Sequence, residues 1–323
     1  MKQRRLRVGI LTSGGDAPGM NAVIRAVVRT ALHFNMRVYG IKAGYQGLFR
    51  ADINEMDADD VSDIIHRGGT ILRTARCMEM ISDDGQRRAA EVIRAMQLDA
   101  IIVIGGDGSF KGALALSKLG IKVICIPATI DLDMDCTDYT IGFDTAVNTA
   151  ANAILCIRDT SSSHDRCSIV EVMGRNAGYL ALWCGMVGGA EEVIFLENRV
   201  DTQSVMEQLM KNRSRGKRHH LIVVAEGVGG SNELAQEIEN VLDIETRATV
   251  LGHMQRGGTP SALDRMHGSF MGYMAVEAIK ENNVNKVVVY RNGKHELIGL
   301  DEALTMRKKY DPEMYNITKI LAI

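Results

Sequence analysis

The run Gly105-Gly106-Asp107-Gly108-Ser109 follows an aliphatic segment and surrounds one carboxylate with glycines. Glycines at a strand end let backbone N–H groups approach phosphate oxygens with no Cβ in the way. A helix behind such a turn adds the positive end of its dipole. Asp107 is placed to hold Mg²⁺, which takes oxygen ligands and bridges phosphates. Taken alone, the same residues also make an ordinary βα turn with an aspartate cap. A second stretch, Pro127-Ala128-Thr129-Ile130-Asp131-Leu132-Asp133-Met134-Asp135, alternates carboxylates with apolar residues. At extended spacing those carboxylates share one face and repel one another. Such a ladder calls for a cation or for work as a base. Phosphoryl transfer to an alcohol needs one aspartate to accept the hydroxyl proton and others to orient it or hold metal. The competing reading is a solvated acidic turn, and the interleaved Ile130, Leu132 and Met134 argue against it.

Arginines form a third group. Arg166, Arg175, Arg247 and Arg256 fall at or near expected strand ends, and Arg76 follows Gly68-Gly69. Guanidinium groups grip phosphate in a bidentate fork and neutralise a transferring phosphoryl. The basic run at 213–220 (RSRGKRHH) reads either as a solvated loop or as an anion-binding patch.

These residues need elements to position them. Aliphatic runs at 6–11, 37–41, 100–104 and 122–126 read as strands, and helical spacing marks 20–32, 59–65, 87–96 and 111–118. The second half continues with helices at 145–158, 177–187, 205–212 and 233–242. Its strands are expected at 167–172, 192–195, 221–225, 249–252 and 286–290. Strands alternating with helices predict an α/β fold with parallel sheets, whose ligands bind at the carboxyl ends of strands. The segments 12–16, 105–109 and 127–138 occupy such places.

Single cores stop growing at roughly 250–300 residues, so a chain of 323 predicts two lobes. A net charge of -2 gives no electrostatic reason to expect nucleic acid. No two of the six cysteines form a C-x-x-C pair, which points away from metal or disulfide frameworks and toward a reducing, cytoplasmic compartment. The basic start (Met1-Lys2-Gln3-Arg4-Arg5) leads into a glycine turn and not an apolar core, so neither secretion nor a membrane span is expected. No G-x-x-x-x-G-K-[ST] occurs, and Gly106-x-Gly108-x-x-x-Gly112 misses the dinucleotide spacing by one residue. Walker-type and hydride-transfer chemistry are disfavoured.

At these residues the chain resembles the bacterial ATP-dependent 6-phosphofructokinases, almost end to end. The motifs are LTSGGDAPGMNAVIR at 11–25, IGGDGS at 104–109, TID at 129–131, TDYTIGFDTA at 137–146, RDTSSSH at 158–164, VEVMGR at 170–175 and TRATVLGHMQRGG at 246–258. The resemblance implies two Rossmann-like, three-layer α/β lobes with mainly parallel sheets and the active site in the cleft. Residues 1–142 plus about 255–305 would form the nucleotide-binding lobe. Residues 143–254 plus about 306–323 would form the sugar-phosphate lobe. Asp131 matches the general base that deprotonates the 1-hydroxyl of fructose 6-phosphate, Asp133 its acidic neighbour and Asp107 the Mg²⁺ ligand. Gly15, Tyr45, Arg76, Cys77, Gly106, Gly108 and Ser109 match positions around ATP. Arg76 and Arg175 would also neutralise the moving phosphoryl.

Thr129, Ile130, Met173, Gly174, Arg175, Glu226, His253 and Arg256 match sugar-phosphate contacts. Arg166 and Arg247 match arginines that reach the 6-phosphate from a neighbouring subunit of a homotetramer. Arg25, Arg29, Arg158, Gly189, Glu191, Arg215, Lys217, Arg218 and His219 match an effector site for ADP or phosphoenolpyruvate, which favours the anion-patch reading of RSRGKRHH. Pyrophosphate-using relatives tend to carry Asp at the place of Gly108 and Lys at the place of Ala128, so Gly108 favours ATP. Departures from the family pattern are Ala128 for Gly, Leu132 for Asn, Cys77 for an aromatic, and Arg73 at a place usually small or neutral near the phosphates. They keep open a regulatory paralogue that binds without turnover. NAD kinases share GGDG but lack the TID, MGR and HMQRGG segments.

Overall fold

A computed structural model describes residues 4–198, 200–307 and 312–322. Met1, Lys2 and Gln3 of the basic start lie outside that range, as do 308–311 and 323 of the expected second lobe. The chain divides into two compact units. Unit 1 comprises 1–129, 134–145 and 256–308; unit 2 comprises 130–133, 146–255 and 309–323.

Unit 1 is built on a seven-stranded sheet. Numbered in chain order, its strands are β1 (Arg7–Ser13), β2 (Arg37–Ile41), β3 (Ile53–Met56), β4 (Ala100–Gly105), β5 (Val123–Pro127), β10 (Lys286–Arg291) and β11 (Lys294–Gly299). They lie in the order β11-β10-β5-β4-β1-β2-β3. Pairing is parallel except at the two edges, β2 with β3 and β10 with β11. Every residue of β4 is buried, as a strand covered on both faces requires. The helices are α1 (Met20–His33), α2 (Tyr45–Arg50), α3 (Asp83–Ala95), α4 (Asp107–Lys118), α9 (Ala262–Lys280) and α10 (Leu300–Thr305). β1 has its next strand, β2, on one side and β4 on the other, so the strand order reverses between β1 and β4. A crevice at the carboxyl ends of such strands is where ligands of open α/β sheets bind.

Unit 2 carries an all-parallel sheet in the order β7-β8-β6-β9. Its strands are β6 (Cys167–Val172), β7 (Glu192–Ile194), β8 (His220–Ala225) and β9 (Thr246–Val250). Its helices are α6 (Tyr179–Gly188), α7 (Thr202–Ser214), α8 (Ser231–Leu242) and α11 (Glu313–Leu321), together with most of α5 (Phe143–Ser163). A core of Ile169, Ile194, Leu209, Ile222 and Ile238 lies between sheet and helices.

Four expectations are corrected. Residues 59–65 form turns and no helix. The Asp57 carboxylate accepts from the N–H groups of Asp59 and Asp60, Asp60 accepts from Asp57 N–H, and Asp63 is left-handed (φ 51°). Such side-chain bonds offer the backbone an alternative to the helix ladder. The strand expected at 249–252 is Thr246–Val250, followed by a 3₁₀ turn, Gly252–Arg256. The carboxylates of 131–135 do not form an extended ladder, because Leu132 is left-handed (φ 53°) and breaks the alternation. The helix expected from 111 begins at Asp107, so Asp107, Gly108 and Ser109 form its first turn and not a preceding loop.

Candidate active site

In unit 1 the loops after β1 and β4 meet. Ser109 Oγ donates to the Ser13 carbonyl at 3.0 Å, which ties the first turn of α4 to the end of β1. Tyr45 Oη donates to the Ser109 carbonyl at 2.6 Å from a buried position. Tyr45 therefore supports α4 from beneath and presents no ring face to a nucleotide. Burial also pushes its hydroxyl pKa well above the usual tyrosine value. Gly106, Asp107 and Gly108 place their N–H groups at the helix start, where an anion is favoured, while the Ser109 N–H donates to the Gly106 carbonyl at 3.0 Å. A Cβ on Gly108 would meet nothing within 4 Å. The fold itself therefore does not demand glycine at this position.

Asp107 is half exposed and pairs with Lys111 at 2.6 Å. Among the described residues no group of three or more His, Cys, Asp or Glu side chains forms a metal cage. A single carboxylate fits Mg²⁺, which commonly takes one or two protein carboxylates and completes its shell with water and substrate phosphates.

Gly15 is crowded from the other side, since a Cβ there would lie 2.5 Å from Arg256 Nη1. Arg256 Nη1 also donates to the Asp16 carbonyl at 3.3 Å. Arg256, expected at the sugar phosphate, thus lies against the loop after β1. The segment bearing Arg76 is fastened beside that loop by Thr74 Oγ1, which donates to the Gly14 carbonyl at 2.7 Å. Arg76 is exposed, whereas Cys77 is half-buried, donates to Glu79 at 3.4 Å and has its thiol pKa raised chiefly by burial. The half-buried Thr129 is held through its carbonyl by Thr140 Oγ1 at 2.7 Å.

In unit 2 the carboxyl ends of β6 and β8 are joined. Glu226 accepts from Arg175 N–H at 2.7 Å, and Met173 N–H donates to Gln255 Oε1 at 2.8 Å. Gln255 is fully buried and did not stand out in the sequence, although its place in HMQRGG was a signal. Arg175 is exposed and left-handed (φ 53°), and His253 is exposed on the 3₁₀ turn after β9. Asp131 is 5% exposed and Asp133 half-buried. Ile130 is fully buried, so no part of it is open to a ligand here. Gly174 follows Met173 at the end of β6 with φ 138°.

Arg166 and Arg247 lie elsewhere. Arg166 precedes β6 and Arg247 is the second residue of β9, so both stand at the amino end of the parallel sheet. Both pair with Glu245 at 2.7 Å, and the Arg166 hydrogen bond holds that carboxyl below its usual pKa. The same end carries Gly189, Glu191, Arg215, Lys217, Arg218 and His219. Glu191 is buried, pairs with Lys217 and accepts from Leu221 N–H at 2.5 Å. Arg158 donates to the Gly188 carbonyl beside it, and Arg218 pairs with Asp165 at 3.5 Å. Arg25 and Arg29 sit on α1 in unit 1.

One carboxylate interaction was not foreseen. Asp264 is fully buried and accepts from Tyr139 Oη at 2.6 Å, Gly142 N–H at 2.7 Å, Thr145 N–H at 2.9 Å and the Thr145 hydroxyl. It closes the start of α5 and accounts structurally for much of TDYTIGFDTA.

A phosphofructokinase family model matches residues 7–279. An ATP-dependent 6-phosphofructokinase from Clostridium botulinum is 53% identical over 315 residues, 98% of this chain and 99% of its own. Another from Clostridium novyi is also 53% identical over 315 residues, with the same coverage. Among solved structures, the phosphofructokinase of Saccharomyces cerevisiae matches with a TM-score of 0.87 at 33% identity, over 99% of this chain. This chain spans 48% of that yeast chain.

Proposed function

We propose, for a chain that belongs to the phosphofructokinase family, that it is an ATP-dependent 6-phosphofructokinase of glycolysis. It transfers the γ-phosphoryl of ATP to the 1-hydroxyl of fructose 6-phosphate, yielding fructose 1,6-bisphosphate and ADP. The observation that carries ATP as donor is Gly108. Its missing side chain leaves open space at the start of α4, where packing alone would have tolerated a Cβ. An aspartate there would oppose the nucleotide's α-phosphate by bulk and charge.

The donor residues then belong to unit 1, while of the acceptor residues Asp131, Met173, Gly174, Glu226 and His253 belong to unit 2 and Thr129 and Arg256 to unit 1. The loop at 14–15 and the start of α4 bind the donor phosphates through N–H groups. Asp107 would hold Mg²⁺ with those phosphates, and the bound metal supplies neutralisation of their charge. Asp131 accepts the proton of the 1-hydroxyl as that oxygen bonds to the γ-phosphorus and the β–γ bridging bond breaks. Asp133 supports Asp131. Arg76 and Arg175 offset the charge that spreads over the moving phosphoryl oxygens. Thr129, Met173, Gly174, Glu226, His253 and Arg256 position the sugar phosphate.

Arg166 and Arg247, at the amino end of their own sheet, serve the 6-phosphate of a neighbouring subunit in a homotetramer. Arg25, Arg29, Arg158, Gly189, Glu191, Arg215, Lys217, Arg218 and His219 belong to an effector site for ADP or phosphoenolpyruvate. We place the enzyme in the cytoplasm.

Purified protein with Mg²⁺ and fructose 6-phosphate, given ATP or pyrophosphate in parallel, tests the reading. ADP release that requires the sugar phosphate is expected. No turnover with either donor overturns the function, and faster turnover with pyrophosphate overturns the donor. Asp131→Ser should lower kcat by about 10²- to 10⁴-fold if it is the general base.

A further inference from the structure

Arg73 is left-handed, with φ 57°. A residue with a Cβ is disfavoured there because Cβ crowds a carbonyl oxygen. Asn and Asp tolerate the conformation better and fill several of the chain's other left-handed positions, among them Asn35, Asp63, Asp165 and Asn282.

The surrounding backbone is pinned in place. The Arg73 carbonyl accepts from Thr12 Oγ1 at 2.8 Å, and its N–H donates to the Thr70 carbonyl at 3.1 Å. Asn21, on the first turn of α1, holds the carbonyls of Arg67 and Gly68 and the N–H of Ile71. Ala43 N–H donates to the Leu72 carbonyl at 2.8 Å. Thr74, the next residue along, is bonded to Gly14. Residues 67–74 are therefore clamped along the carboxyl end of β1.

The side chain tells a different story. It is exposed, and among the described residues no hydrogen bond or ion pair engages its guanidinium. The fold accounts for the backbone conformation and gives no reason for an arginine to adopt it. Strained residues of this kind cluster at functional sites. Unit 2 offers a parallel in Arg175, an exposed arginine with φ 53° at a strand-end loop.

We propose that Arg73 is a donor-binding residue whose guanidinium contacts the polyphosphate tail held by the loops after β1 and β4. It adds a second positive charge to that of Arg76. The proposal rests on reading unit 1 as the donor half. Its backbone contacts Thr12 and its neighbour contacts Gly14, so a phosphate on this loop lies within reach of an arginine side chain.

Kinetics of Arg73→Ala, Arg73→Gly and Arg73→Lys test it, with fructose 6-phosphate saturating and ATP varied. Arg73→Ala and Arg73→Gly should each raise the ATP KM by about ten-fold or more, as expected for loss of a charge-assisted phosphate contact. Arg73→Lys should fall between them and the parent. The fructose 6-phosphate KM should stay within about twofold. Arg73→Gly should melt no lower than Arg73→Ala, because glycine relieves the left-handed backbone. An ATP KM that stays within about twofold of the parent in both the alanine and glycine variants overturns the proposal, and so does an equal loss of sugar-phosphate affinity. If the parent shows no turnover with any donor, the proposed function fails. Arg73 is then judged by calorimetric binding of MgATP alone, where equal Kd in parent and Arg73→Ala, or no binding to the parent, overturns it as well.

Discussion

Tyr45 bonds the residue next to Gly108, yet the two ask different things of the chain. Tyr45 is required by the protein, since its hydroxyl is bonded and its ring is packed under α4. Gly108 faces open space. Gly108→Asp should therefore fold with an unchanged Tm while raising the ATP KM by more than about ten-fold, since it puts a carboxylate near donor phosphate. A large fall in Tm would show that the glycine serves packing instead. The residues of GGDGS were legible as the turn between a strand and a helix, and as a candidate phosphate-binding segment, because glycines there let backbone N–H groups approach an anion. That they form the first turn of a helix was not legible, because glycine has low helix propensity and masks the start. Leu132 hid its conformation for a similar reason, since nothing in an apolar side chain announces a positive φ.

At the scale of elements, the buried strands were readable as continuous aliphatic runs. The helix α9 was missed altogether. Gly268 and Gly272 weaken its local signal, but they are needed where α1 approaches. A Cβ on Gly272 would lie 2.9 Å from the Val23 carbonyl oxygen. Asp264 at the start of α9 binds the start of α5, so Asp264→Ala should cost roughly 3 kcal/mol in urea unfolding, the scale of losing charge-assisted bonds and leaving donors unpaired. A cost under about 1 kcal/mol would mean that the network is not rigid.

α9 also meets β11 through His267 Nδ1 and His295 Nε2, which are 2.9 Å apart and share a proton bond that needs one neutral acceptor. Burial, then the neighbouring His295, lowers the His267 pKa from 6.5 to about 4, although Asp144 opposes the shift. Burial lowers His295 and His220 as well. A depressed histidine binds fewer protons folded than unfolded, so its contribution is present above pH 6.5 and is lost as pH falls toward 4. Tm should drop across that window, and His267→Gln should flatten the drop. A Tm independent of pH there would contradict the burial of these rings.

At the scale of the molecule, two units each built on their own sheet draw on segments that interleave along the chain. The segment 130–133, with Asp131 and Asp133, groups with unit 2, although the strand leading into it, β5, belongs to unit 1. Composition could not mark that crossing, since a few residues passing between cores carry no shift in polarity. Periodicity says nothing of which strand-end arginine belongs to which phosphate, and that assignment rests on the resemblance alone.

Glu245 gathers Arg166 and Arg247 at the amino end of the unit 2 sheet, away from the carboxyl ends that hold Arg175 and Glu226. If those arginines complete a neighbour's site, each site is a shared property of two chains. Two defective proteins could then cure one another. Asp131→Ser and Arg247→Ala, each nearly inactive alone, should regain activity after being dissociated together and reassembled. Mixed assemblies would contain some sites with both an intact base and an intact arginine. A mixture no more active than its parts would mean that each chain works alone.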